Sequence, residues 1–238
     1  MEVLLTGGGS RSGAEFTKNL TDHGHNVTVL THSEFEYPGV TVIPINWHTV
    51  NLDDFYQKPF GKVKEYLAKP YDLILFWHNS QAQPYRTSSP QIEKTKLPMK
   101  QWNYGVAKGE TDHLLHTEFV NTLLPFFIVE CLEPYFTENT KIGYMSSGII
   151  HDTKPELLNY WVYKSKKYSW IAQMKAFSNS LPGIFFGIQP YDLDPSEHLH
   201  KHVNQIRRTI EFLEPKHNGL YVGRNFVDNS NAIFPTEL

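Results

Sequence analysis

Apolar positions along the chain come in short continuous runs separated by amphipathic stretches. Val3, Leu4 and Leu5 form one such run, which stops at Thr6-Gly7-Gly8-Gly9, as a buried parallel strand does on entering a tight turn. Gly13 then opens a helix with Phe16 and Leu20 one turn apart on its inner face and Gly24 as its stop. Further strands are expected at 26–30, 39–45, 72–76, 141–145, 183–188 and 219–222. Helical patterns fill the gaps: from Leu52 to just before Pro70, over 110–136 with a kink at Pro125, and over 161–181. Another carries Leu199, Val203, Ile206, Ile210 and Leu213 at spacings of 4, 3, 4 and 3. This order predicts one domain over 1–238, a doubly wound α/β sheet of about seven parallel strands with helices on both faces. Residues 79–109 hold three prolines and little apolar content, which reads as a long loop covering a substrate.

The first βαβ unit changes this from an architecture into a site. A glycine-rich turn between the carboxyl end of a strand and the amino end of a helix offers backbone N–H groups and a helix dipole to a pyrophosphate, as in Rossmann folds. Gly7, Gly9, Ser10, Arg11, Ser12 and Gly13 are therefore the expected dinucleotide-binding residues. Composition agrees with a small-molecule partner. The 238 residues carry 22 basic against 25 acidic groups, a net charge of −3, which argues against nucleic acid or an anionic membrane. A single cysteine, Cys131, and no apolar stretch of membrane-spanning length or leader pattern lead to the expectation of a cytoplasmic protein. No metal site is expected, since His198, His200 and His202 alternate and so point to different sides of a helix.

Thr6, Gly7 and Gly13 resemble the T-G-x-x-x-G-x-G turn of the short-chain dehydrogenase/reductase family, with Arg11 standing where the family has its middle glycine. After the fifth strand come Ser147 and two overlapping Tyr-x-x-x-Lys pairs, Tyr160/Lys164 and Tyr163/Lys167. Tyrosine and lysine four apart share a helix face, so the ammonium lowers the phenol's pKa and the tyrosine can exchange a proton with a carbonyl or alcohol. The resemblance implies Asn121, Ser147, Tyr163 and Lys167 as the catalytic set, with Tyr160 and Lys164 as the alternative. Tyr163 lies 16 residues after Ser147, an interval similar to that of the family's C-factor-like members, whereas Tyr160 lies at the commoner 13.

Thr31, His32 and Ser33 end the second strand without the acid that NAD users of the family place there, and Arg11 offers a fork of donors to a 2′-phosphate. NADP(H) is thus expected over NAD(H). Asn46, His78, Asn79 and Pro190 complete the cofactor residues that the resemblance implies. Trp77-His78-Asn79-Ser80 replaces the family's Asn-Asn-Ala-Gly, and Tyr191 follows Pro190 where a glycine is usual. The expected activity is interconversion of a carbonyl and an alcohol in a homodimer or homotetramer. The alternative is a dinucleotide-binding regulatory or scaffold protein with a degenerate active site.

Overall fold

The structure, a computed structural model, describes residues 1–31, 34–45, 63, 65–78, 119–146, 161–189, 199–224 and 231–234, with the backbone alone at 119, 161–164, 166, 223–224 and 231–234. Eight strands form one sheet: β1 (Glu2–Thr6), β2 (Asn26–Thr31), β3 (Val40–Pro44), β4 (Leu73–Phe76), β5 (Lys141–Met145), β6 (Ile184–Gln189), β7 (Tyr221–Arg224) and β8 (Asn231–Phe234). Their order is β3-β2-β1-β4-β5-β6-β7-β8. The first seven run parallel, as the sequence predicts, and β8 adds an antiparallel edge on β7. The central strands β1, β4 and β6 are buried nearly throughout, because helices cover both sides of a parallel sheet. Edge strand β3 alternates instead and ends at Pro44, where a missing N–H leaves no ladder bond unmade.

Among the elements described in full, four α-helices flank the sheet: α1 (Arg11–Asp22), α2 (Leu124–Leu132), α3 (Trp161–Ser180) and α4 (Leu199–Glu211). Of the expected helix at 52–69, Val63 and residues 65–67 are helical, and the rest lies outside the described residues, as does the loop at 79–109. The first helix begins two residues earlier than the glycine pattern suggests. Ser10 is extended and its Oγ accepts from the Gly13 N–H at 3.2 Å, so the serine caps the helix and Gly13 sits in its first turn. Gly24 ends it with φ +79, as expected.

On one face α1 and α4 pack together through a buried polar clamp. Arg207, 5 % exposed, donates to Asn19 Oδ1 on α1 at 2.9 Å, to Asn204 Oδ1 at 2.9 Å and to Glu211 Oε1 at 2.5 Å. Glu211 also accepts from His25 Nε2 at 3.0 Å. Burial would raise the Glu211 pKa, but hydrogen bonds from Arg207 and His25 outweigh it and hold the carboxyl below its ordinary value. His25 is itself pushed down by desolvation, so at neutral pH it serves as a neutral donor.

Candidate active site at the carboxyl edge of the sheet

Strand order reverses its direction of growth between β1 and β4, and the crevice outside the carboxyl ends there is where open α/β sheets bind ligands. The glycine turn fills that place. Gly7 takes φ +75 and its N–H donates to Leu30 O at 2.8 Å. A Cβ on Gly7 would come within 2.6 Å of the His78 backbone, one on Gly8 would meet Val29 and Thr17, and one on Gly13 would strike Gly7 O. The glycines therefore permit close packing of turn, helix and β4 at the amino end of α1. Gly9 is half-buried, Ser10 and Arg11 are exposed, and Ser12 Oγ accepts from Trp77 Nε1 at 3.1 Å. Trp77 in turn stacks on Phe16 at 4.4 Å.

Thr31, at the end of β2, is 1 % exposed. His32, Ser33, Asn46, Asn79 and Pro190 lie outside the described residues.

His78, one of the expected cofactor residues, turns its side chain inward and is 5 % exposed. Its ring bonds Thr6 Oγ1 through Nδ1 and Val120 O through Nε2, the latter at 2.6 Å. A carbonyl can only accept, so Nε2 carries the proton and Nδ1 accepts from the threonine hydroxyl. Burial pushes the imidazole down to about 3, so it is neutral. Residues 74, 76 and 78 share a face by strand alternation, and that period in the sequence was the available sign that His78 points toward α3.

Val120 belongs to a π-turn, Phe119–Leu123, that leads into α2. Pro125 was expected to kink this helix, and the irregularity lies just before it. Its nitrogen has no proton to give the carbonyls one turn back. Two side chains supply donors there: His78 to Val120 O, and Gln173 of α3 to Thr122 O at 2.9 Å. Asn121 lies between them, fully buried. Single π-turns inside helices recur at functional sites.

Across from this turn, α3 carries Lys167, which is 1 % exposed. Its Nζ donates to Met145 O at the end of β5 at 2.7 Å and lies 3.7 Å over the Trp170 ring. Desolvation holds its pKa well below that of an ordinary lysine. Tyr163 and Lys164 lie on α3, one turn and nearly one turn before Lys167, with only their backbone described. Ser147 and Tyr160 fall outside the described residues. The structure thus brings the glycine turn, Asn121 and Lys167 to elements that meet at one edge of the sheet. Among the described residues no cluster of three His, Cys, Asp or Glu side chains is placed to hold a metal, and no helix is long and apolar enough to cross a membrane.

No protein-family model and no curated protein sequence matches the chain. Solved structures do. A carbonyl reductase from Pseudomonas aeruginosa PAO1 in complex with NADP superposes with a TM-score of 0.67 at 12% identity, over 99% of this chain and 100% of that one. A putative short-chain alcohol dehydrogenase from Burkholderia multivorans gives 0.60 at 15%, over 93% and 96%. A short-chain dehydrogenase/reductase from Serratia marcescens BCRC 10948 gives 0.60 at 17%, over 92% and 94%. At these identities the likeness establishes the fold.

Proposed function

We propose that the protein is an NADP(H)-preferring oxidoreductase of the short-chain dehydrogenase/reductase type that interconverts a carbonyl and an alcohol. The observation that carries this reading is Lys167, a lysine buried at the carboxyl end of β5 on the helix that bears Tyr163 one turn earlier. A buried cation costs several kcal/mol to desolvate, which a chain tolerates where the group has work to do. The glycine turn lies between the carboxyl end of β1 and the amino end of α1, where backbone N–H groups and the helix dipole suit a pyrophosphate, and a nicotinamide dinucleotide held there would supply the hydride. In this reading Tyr163 delivers the proton to the substrate oxygen, Ser147 steadies that oxygen, and Lys167 stabilises the phenolate. Asn121, buried in the π-turn that leads into α2, is the fourth member of the set in this reading. The likeness to an NADP-bound carbonyl reductase supports both cofactor and reaction class.

Arg11, exposed at the start of α1, is assigned to the 2′-phosphate. Arg11→Ala is expected to weaken NADPH binding about tenfold or more while changing NADH binding little, since a hydrogen bond to a charged group contributes on the order of 1.5–3 kcal/mol. Titration calorimetry with both cofactors checks it, and equal losses remove the argument for NADP.

The second reading, a dinucleotide-binding regulatory protein, draws on Trp77 and His78, both of which face into the fold. NADPH binding without turnover of any aldehyde or ketone would favour it. The chain is also proposed to form homodimers or homotetramers through α2 and α3, which expose Phe126 and Tyr168 at 40% and 44%. Light scattering at micromolar concentration should return a multiple of 27.6 kDa, and a monomer counts against it.

A further inference from the structure

One imidazole touches three of the elements that bear the proposed site. His78 lies two residues past the end of β4 and bonds Thr6, the residue before the glycine turn. Through Nε2 it bonds Val120, the neighbour of Asn121. Its ring meets Trp170 edge to face at 5.7 Å and 75°, and Lys167 lies over that same indole. Its backbone presses on Gly7, leaving no room for a Cβ there.

We propose that His78 is a positioning residue, which holds the Asn121 turn and the Lys167–Trp170 pair in working geometry by giving Val120 O the hydrogen bond that Pro125 cannot. The need for it is written into the backbone. In a π-turn the carbonyl of residue 120 looks for the N–H of residue 125, and that residue is proline. A buried carbonyl left without a donor keeps its full desolvation penalty, and the turn would shift to recover a partner. A displacement of about 1 Å at a catalytic group is enough to lose roughly a hundredfold in rate. The imidazole suits the task because its ring is rigid. Both nitrogens are committed, with one proton running from Thr6 Oγ1 to Nδ1 and the other from Nε2 to Val120 O.

The inference rests on the oxidoreductase reading for its kinetic arm alone. His78→Phe keeps a planar ring and loses both bonds. It is expected to lower kcat with NADPH and a panel of small aldehydes and ketones by on the order of tenfold to a hundredfold, with NADPH affinity held. His78→Gln, which retains a donor and an acceptor, should recover most of that loss. Pro125→Ala placed in the His78→Phe background restores a backbone donor and should also recover part of it. In wild type, 15N spectra should show the His78 ring, assigned by its loss in His78→Phe, protonated at Nε2 alone with a slowly exchanging proton. Wild-type kcat in His78→Phe, equal losses in His78→Phe and His78→Gln, or protonation at Nδ1 would each overturn the proposal. If wild type reduces none of the panel, the reaction assignment fails by itself. The positioning role is then decided by amide exchange at 119–124: faster in His78→Phe and not in His78→Gln supports it, and no difference overturns it.

Discussion

Tyr163→Phe is expected to lower kcat for carbonyl reduction by about 10²- to 10⁴-fold, the range supplied by a positioned general acid, and to leave NADPH affinity almost unchanged. The argument runs through Lys167. It sits on α3 one turn after Tyr163, and its Nζ is fixed at the end of β5; residues four apart share a helix face. Removing only the hydroxyl leaves the ring to pack and takes away the proton. Tyr160→Phe should cost little beyond substrate affinity. Steady-state kinetics on both variants decides the matter: the opposite pattern transfers the role to Tyr160 and Lys164, and activity surviving both removes the catalytic assignment.

Arg207→Leu is expected to destabilise the fold by about 3 kcal/mol, the lower end of what breaking a buried pair costs. Glu211 keeps 29% of its side chain exposed and can recover part of its hydration, but Asn19 Oδ1 and Asn204 Oδ1 also lose their donor. For a chain of this size that is a fall of roughly 6–12 °C in Tm, readable by circular dichroism. The same clamp sets a pH dependence. The Glu211 pKa is depressed in the folded state, so its contribution is present above the unfolded value of 4.5 and fades as pH falls through the folded one. His25 is depressed from 6.5 by burial, so the unfolded chain takes up a proton first and stability begins to fall below about pH 6.5. Thermal melts from pH 8 to pH 4 should therefore decline in wild type. The Arg207→Leu variant should lose less on acidification, because the bond that lowers Glu211 is gone.

Residue patterns disclosed the sheet more fully than the site. Lys141–Met145 matches its expected bounds, and β2, β4 and β6 differ by a residue, because central parallel strands are short uninterrupted apolar runs that stop at polar or glycine residues. β8 was not anticipated, since Asn231–Phe234 is four residues of an edge hairpin whose strand character comes from pairing with β7 rather than from its own pattern. The helix start was misplaced because Gly13 stands out by eye while the work of capping falls to Ser10. Lys167 was legible through its spacing from Tyr163. His78 was legible in position, and the hydrogen bonds of its ring to Thr6 and Val120 were not, because they join residues 72 and 42 positions apart. Arg207 follows Val203 by four residues on the apolar stripe of α4, a cue that charge alone obscured.

The position of β1 in the middle of the sheet has a consequence for how the chain is made. β1 gains its first neighbour, β2, after some twenty residues, but its other neighbour, β4, begins only at Leu73. At about 5–20 residues per second of synthesis, one edge of Val3-Leu4-Leu5 waits roughly 3–14 s for its partner. During that time the nascent chain offers an unpaired apolar strand to any other strand nearby, and its short length is what keeps the hazard small. The proposed dinucleotide site lies at the seam that closes last on that strand, so a chain stalled before residue 76 holds the glycine turn but not the wall that His78 and Trp77 build against it.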